Sequence, residues 1–184
     1  MLSKRILLMI TAALLVVAAG AFAKEAKEAI EAKEAKAKKE PTVAEMMTGL
    51  QTMCEESAGA RTARHEAKPL YDRLGGYDRI LKLTQTIVAF HAENDEIKRT
   101  LKGVDHDLLA KHVADFMAAG TGGTAEYTGR TMPAAHAHLE LTDADFLSAG
   151  GDVIKAMKSL DYSQEEIDEV VCILVSLKDQ VVFK

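Results

Sequence analysis

The chain has 184 residues, of which 48% are hydrophobic and 28% charged, and its formal net charge is −5. This length allows one domain with appendages. The negative charge argues against nucleic acid or an anionic membrane as the main partner. An aromatic content of 5% without tryptophan argues against a platform on which nucleic-acid bases stack.

Residues 1–23 have the pattern of a secretory signal peptide. Lys4 and Arg5 give the positive start, an apolar run extends from residue 6 to residue 17, and Ala21-Phe22-Ala23 is a small-x-small cleavage pattern. The apolar run is short for a membrane span, so we predict no stable span after cleavage, with an uncleaved anchor as the alternative. Cleavage removes two positive charges and leaves the chain at −7. Export predicts a periplasmic or extracellular location, where disulfides persist.

Two segments precede the predicted globular domain. Residues 24–40 alternate glutamate and lysine over alanine without an apolar stripe, which fits a semi-rigid helical spacer or a disordered one equally well. Residues 41–68 begin with an amphipathic helix and end with a polar stretch from residue 57 that we interpret as a linker. The apolar stripe of the helix indicates packing rather than metal binding, and it consists of Val43, Met46, Met47, Leu50 and Met53.

The sequence contains two cysteines, Cys54 and Cys172. Cys172 lies in an apolar helical stretch, where a buried thiol is the usual state, and Cys54 lies outside the predicted domain. A sequence supplies no distance between the two side chains, so a disulfide between them is left open.

Residues 69–184 are predicted to be entirely helical. Apolar residues recur three or four apart over about 77–92, 106–119, 143–160 and the last stretch after Ser163, and nothing alternates with period two. Three sites have the form of a helix N-cap, and they begin at Asp105, Thr142 and Ser163. The pattern favours two pairs of longer helices with a short helical segment between the pairs.

That short segment belongs to the stretch from Gly122 to Phe146. A glycine pair lets the preceding helix stop, and Pro133 suits the first turn of a brief helix that carries His136. An imidazole between two flexible joints is well placed to lean toward a metal. An isolated helical histidine is nevertheless more often a plain surface or core residue, so the position alone decides nothing.

The order of the motifs resembles the group 1 truncated haemoglobins. The resemblance begins with the run Leu70-Tyr71-Asp72-Arg73-Leu74-Gly75-Gly76. It continues with Phe116, Gly122-Gly123, Tyr127-Thr128-Gly129-Arg130, Met132, Ala135-His136, Leu141-Thr142 and Phe146. It covers about residues 69–184 and needs no insertion between Leu70 and Phe146. It implies an all-α, two-over-two helical sandwich that binds haem b, here with a helical N-terminal extension. The sequence contains no C-x-x-C-H motif, so covalent attachment of the haem, as in c-type cytochromes, is not indicated.

The resemblance also implies roles for individual residues. His136 matches the proximal iron ligand, and His112 matches a distal histidine that binds the iron in a subset of the family. The alternative for His112 is an exposed position near a haem propionate. His138 points to another face of the helix, and we expect it to be exposed. The expected apolar lining is Leu109, Val113, Phe116, Met132, Leu139, Leu141 and Phe146, and the candidates for the propionates are Tyr127, Arg130 and Lys111.

Three positions depart from the family pattern. The usual distal tyrosine, distal glutamine and haem-wedging phenylalanine are replaced by Val88, Val113 and Leu101, which leaves His112 as the obvious hydrogen-bond donor on the distal side. We expect reversible binding of a diatomic ligand such as oxygen, rather than an enzyme. Alternatives are haem-dependent electron transfer with an unknown redox partner, nitrogen-oxide or peroxide chemistry, and a haem-free helical interaction module.

Overall fold

The computed structural model describes Lys24, Lys27 and residues 40–184. The chain divides into two compact units, Met1–Pro41 and Thr42–Lys184, and every element below belongs to the second. Lys24 and Lys27 are helical. The predicted signal peptide and the rest of the predicted spacer lie outside the described residues. Within the described part, no helix has both the length and the apolar character needed to cross a membrane.

Thr42–Lys184 contains eight α-helices and three short 3₁₀ turns. The α-helices are α1 Val43–Glu56, α2 Ala58–Ala67, α3 Leu70–Arg73, α4 Gly76–Glu93, α5 His106–Gly120, α6 Met132–His136, α7 Asp143–Ser159 and α8 Gln164–Leu177. The 3₁₀ turns are Lys98–Leu101, Ala137–Leu139 and Lys178–Gln180. In the described residues the extended pairing is limited to one isolated parallel bridge between Leu141 and Val182, so the all-α prediction is confirmed.

Two helix pairs form the sandwich. Helix α4 lies along α5, α7 packs against α8, and α4 also crosses α7. The close approach of α4 and α5 depends on a face of small residues on α5, where Ala110, Ala114 and Ala118 are at most 1% exposed. Thr84 of α4 is fully buried against this face and donates a hydrogen bond to the Ala110 carbonyl at 2.8 Å. The two-over-two prediction is therefore confirmed, and the larger residues of α5 are left for another surface.

The three predicted N-caps are confirmed. The hydroxyl groups of Thr142 and Ser163 each accept a hydrogen bond from the backbone amide three residues further on. In return, the carboxylates of Asp145 and Glu166 accept from the backbone amides of the two capping residues. The Asp105 carboxylate accepts from the Leu108 amide at 3.0 Å. These caps satisfy amides that have no partner within the helix, which fixes where α5, α7 and α8 begin.

The N-terminal extension packs on the sandwich. Helix α1 contacts both α7 and α8 and buries Met47 and Cys54. Cys54 and Cys172 form a disulfide with a Cα–Cα distance of 5.4 Å, which answers the question that the sequence left open. The segment interpreted as a linker from residue 57 forms helix α2. Arg61 extends from α2 back to the Cys54 carbonyl at 2.7 Å, which joins α2 to the end of α1.

A buried carboxylate also ties the extension to the sandwich. Glu169 of α8 is 4% exposed. Its carboxylate accepts a hydrogen bond from Arg64 Nε of α2 at 2.6 Å and another from Arg73 Nη2 of α3 at 2.5 Å. Burial alone raises the pKa of Glu169, but the hydrogen bonds from Arg73 and Arg64 outweigh it, so the pKa lies below its usual value. The paired charge satisfies a group that would be costly to bury alone.

Candidate functional site

His136 lies at the end of the short helix α6. The hydroxyl of Thr131 caps this helix by accepting from the Ala134 amide. The ring Nδ1 of His136 is 2.8 Å from the Met132 carbonyl oxygen. Because a carbonyl can only accept, Nδ1 carries a proton, and in the neutral ring Nε2 is then the nitrogen with the lone pair. This is the tautomer that an imidazole ligand of a metal requires, and its orientation is fixed by backbone.

The loop that leads into α6 is anchored at the glycine pair. Gly122 has a φ of +101° and Gly123 donates to the Ala118 carbonyl at 2.8 Å, so the chain leaves α5 in a sharp turn. The aromatic ring of Tyr71 fills the space where a Gly123 side chain would be. The Tyr71 amide in turn donates to the Thr121 carbonyl at 3.0 Å. The entrance to the His136 segment is therefore fastened to α3.

The exit from the His136 segment is fastened to the C-terminal tail. Glu140 adopts a left-handed conformation at φ 50°, which reverses the chain after the 3₁₀ turn. The carbonyl of Leu141 then accepts from the amides of Phe183 and Lys184 at 3.1 and 3.2 Å. The Lys184 ammonium pairs with Glu140 at 2.6 Å. His136 therefore sits between two anchored turns, and the flexible joints expected from the sequence are held by these contacts.

The predicted apolar lining is partly buried rather than packed into the core. All seven residues are partly exposed, and none belongs to the main hydrophobic cluster of the described residues or to the side chains packed against it. They are Leu109, Val113, Phe116, Met132, Leu139, Leu141 and Phe146. Met117, directly after Phe116, does pack against the cluster. Large apolar side chains that stay partly exposed and outside the core fit a surface that a flat apolar ligand covers.

His112 lies on the same face of α5 as this lining. It falls between Leu109, Val113 and Phe116 in the helical repeat, opposite the alanine face that packs on α4, and it is partly buried. In the distal region, Val88 of α4 is 4% exposed, and Leu101 ends the first 3₁₀ turn and is partly buried. His138, in contrast, is exposed, as the sequence predicts.

The predicted propionate partners differ in what already binds them. The Tyr127 hydroxyl donates to the Arg130 carbonyl at 2.7 Å, and its ring stands edge-on to Phe116 with 5.2 Å between centroids. Lys111 binds the Asp115 carboxylate at 2.7 Å, and Tyr77 donates to the other oxygen of that carboxylate at 2.6 Å. The Arg130 guanidinium is exposed, and within the described residues no acidic side chain pairs with it. Arg130 is therefore the candidate most available to an added carboxylate.

The donor set suits a haem iron better than a bare metal ion. Among the residues that the structure describes, no group of three or more His, Cys, Asp or Glu side chains is placed to hold a metal. A haem iron takes its four equatorial ligands from the porphyrin and needs only one or two from the protein. The single oriented imidazole of His136 meets that requirement, and His112 on α5 is the second candidate.

Comparison with known proteins finds globins over the same part of the chain. The sequence model of the bacterial-like globin family matches residues 69–183. The group 1 truncated hemoglobin GlbN of Mycolicibacterium paratuberculosis is 22% identical over 122 residues, 66% of this chain and 90% of that protein. The group 1 truncated hemoglobin of Tetrahymena thermophila is 25% identical over 137 residues, which cover 74% of this chain and 91% of that protein.

Solved structures with a similar fold are also truncated globins. The Fe(III) form of the Tetrahymena pyriformis truncated hemoglobin matches with a TM-score of 0.61 at 21% identity, covering 64% of this chain and all of that one. The 2/2 hemoglobin of Synechococcus sp. PCC 7002, in the cyanomet state with covalently attached haem, matches with a TM-score of 0.57 at 30% identity. That match covers 61% of this chain and 94% of the Synechococcus chain.

Fold and site together define a haem-binding globin of the two-over-two type. Because the family match spans most of the chain, we conclude that this protein belongs to the bacterial-like globin family, as a truncated globin with an N-terminal extension.

Proposed function

We propose that this globin holds haem b through His136 and reversibly binds a diatomic ligand such as oxygen, with His112 competing for the same iron position. The observation that carries the proposal is the hydrogen bond from His136 Nδ1 to the Met132 carbonyl, which leaves Nε2 available to a metal. When bound, haem would supply an iron that can be held by an imidazole of the protein and can bind a gas ligand.

The residues of this chain have separable roles in the proposal. His136 holds the iron, and the apolar lining excludes water, which slows oxidation of the iron. His112 would compete with an external ligand for the iron, so that ligand would bind only the fraction of molecules in which His112 is off the iron. Arg130 is the candidate to pair with a propionate.

A second candidate function is electron transfer. It is favoured by Val88 and Val113, which place apolar side chains where a donor would stabilise a bound ligand, so that His112 is the available polar group on that side. If His112 stays bound to the iron, the protein would still exchange electrons but would bind gases only slowly.

We also propose that the protein is exported. The signal-like pattern of residues 1–23 supports this, and so does the Cys54–Cys172 disulfide, because such bonds persist in oxidising compartments and are rare in the cytosol. Fractionation of cells expressing the full chain tests the location, and recovery only in the cytoplasm would contradict export.

The visible spectrum of the purified protein, ferric and ferrous, tests haem binding. We expect a Soret band that is lost or strongly weakened in His136→Ala and retained in His138→Ala, the matched control two residues away. Retention of normal haem binding by His136→Ala, or a colourless wild type after expression with ample haem, would overturn the assignment. Acidified butanone extracts haem that is bound non-covalently and leaves covalently attached haem on the protein. We expect the haem to be extracted.

The same spectra test His112. We expect a low-spin ferric spectrum that becomes high-spin in His112→Ala and stays low-spin in His106→Ala, which removes an exposed histidine from the same helix. Rapid carbon monoxide binding in His112→Ala, against slow binding in wild type, would favour gas binding limited by His112. An unchanged spectrum in His112→Ala would mean that this residue does not reach the iron.

A further inference from the structure

An ion pair joins the 3₁₀ turn before the His112 helix to the start of the helix that follows the His136 segment. Arg99, in the 3₁₀ turn Lys98–Leu101, binds Asp145, in the first turn of α7, with Nη1–Oδ1 and Nη2–Oδ2 distances of 2.8 and 2.9 Å. Two parallel bonds of this kind fix orientation as well as distance. The partners are 46 positions apart, so the contact joins two separate parts of the chain.

Each partner is next to a residue of the candidate site. Leu101 follows Arg99 by two positions, at the end of the turn that leads toward the His112 helix. Phe146 directly follows Asp145, at the start of the helix that leaves the His136 segment. Both Leu101 and Phe146 are partly buried. The ion pair therefore links the distal-side turn to the proximal-side helix, and no other ion pair among the described residues joins these two elements.

The Asp145 end of the pair is rigid. The same carboxylate accepts from the Thr142 amide and hydroxyl, both at 2.9 Å, and its side chain is 12% exposed. Arg99 is 51% exposed but also donates to the carbonyl of Glu96, which lies just before the 3₁₀ turn. The ion pair therefore connects the turn to a carboxylate that is itself held in place at the N-terminus of α7.

We propose that Arg99 is a positioning residue for the haem site, which by binding Asp145 sets the separation of the Leu101 turn from Phe146. The inference rests on the proposed haem binding and deepens it. Holding the Leu101 turn against α7 slows the loss of haem and restricts how far the start of α5 can move. It therefore also limits the rate at which His112 leaves the iron.

The chain offers a matched control in the same part of the fold. Lys98 pairs with Asp95 three positions earlier, so this ion pair stays within one local segment, and both side chains are exposed. Asp95→Asn removes an ion pair beside Arg99 without removing a link between elements. Arg99→Lys keeps the charge and loses the two-bond geometry.

Haem transfer to an excess of apomyoglobin measures the proposed effect. We expect haem loss from Arg99→Ala to be about fivefold faster than from wild type, from Arg99→Lys intermediate, and from Asp95→Asn within about twofold of wild type. Unfolding by urea is measured for all four proteins. The positioning role would be overturned if Asp95→Asn lost haem as fast as Arg99→Ala. It would also be overturned if the rates of haem loss simply followed the free energies of unfolding of the variants.

Two further readouts separate this inference from the proposed function. Carbon monoxide binding to the ferrous proteins is expected to be faster in Arg99→Ala than in wild type, because His112 leaves more often. Hydrogen exchange of the haem-free chain is expected to accelerate at residues 98–104 and 142–146. A wild type without a Soret band would overturn the function and this inference. A normal wild type with unchanged haem loss and gas binding in Arg99→Ala would overturn only this inference.

Discussion

The ring of Tyr71 lies against the backbone of Gly123, so closely that a Cβ atom added there would be 2.6 Å from ring carbons and 2.9 Å from the Ala118 carbonyl. The ring has little freedom to move away, because the Tyr71 hydroxyl accepts from the Tyr77 amide at 3.1 Å. The glycine pair therefore marks a close approach between α3 and the loop that leads to His136, as well as a turn.

Gly123→Ala is expected to lower the free energy of unfolding by about 2 kcal/mol, because backbone and a held aromatic ring both block the new methyl group. Gly120→Ala, at the last residue of α5, has open space around the new Cβ and is expected to stabilise the protein by up to about 1 kcal/mol. Urea unfolding of the two variants measures both effects. Equal stabilities would contradict the close contact.

Loss of the disulfide is expected to lower stability substantially. The Cys54–Cys172 bond closes a loop with a sequence separation of 118, and constraint of the unfolded chain predicts a cost of about 5 kcal/mol for Cys54→Ala/Cys172→Ala. Chemical unfolding with and without reductant measures it. Reductant should destabilise the wild type and leave the double variant unaffected, and a reductant-insensitive wild type would argue that the bond does not form.

Asp145 predicts a dependence of stability on acid. The hydrogen bonds from Arg99, with those from Thr142, hold its pKa at about 2, below the ordinary 3.8, although burial acts in the opposite direction. A carboxyl whose pKa is lower in the folded state stabilises the fold fully above about pH 4 and loses that contribution as pH falls toward 2, here about 2 kcal/mol.

Asp145→Asn should therefore flatten the fall in unfolding free energy between about pH 4 and pH 2, as followed by urea titrations at each pH. Asp95→Asn is the control, since that carboxylate is exposed and its ion pair is screened by solvent. A slope unchanged in Asp145→Asn would show that this carboxyl is not the group responsible.

The C-terminal tail predicts an effect on haem retention. Deletion of residues 182–184 removes both amides that bond to the Leu141 carbonyl, together with the Lys184–Glu140 ion pair. The exit from the His136 segment is then free to move, so haem transfer to apomyoglobin should become several-fold faster. Lys184→Ala loses only the exposed ion pair and should behave almost as wild type. Identical haem loss from the deletion and wild type would exclude a role for the tail.

Local sequence rules predicted the helices well, because their signals are local. The caps at Thr142 and Ser163 depend on residues three positions apart, and the helices begin where those pairs place them. The short helix that carries His136 likewise follows from Pro133, although its α-helical part ends at His136 and continues as a 3₁₀ turn to Leu139, where the sequence predicted one helix with His136 near its middle.

What the sequence missed depends on contacts between distant residues. Neither cysteine carries a signal that they approach to 5.4 Å, and the pairing of Glu169 with Arg64 joins residues 105 positions apart. The stretch after residue 57 was interpreted as a linker because it is polar, yet it is helical and is anchored through Arg64. The Lys111–Asp115 pair was visible in principle, since the residues are one helical turn apart.

The cross-link between Cys54 and Cys172 also bears on how the molecule matures. The sequence holds two cysteines, so a single chain has one possible internal pairing and no scrambled isomer to correct. Cys172 is made 118 residues after Cys54, so a chain emerging from its N-terminus presents a lone Cys54 until α8 has appeared. Before that point an oxidant can join Cys54 only to another molecule, so the internal bond can form only once α8 has been made.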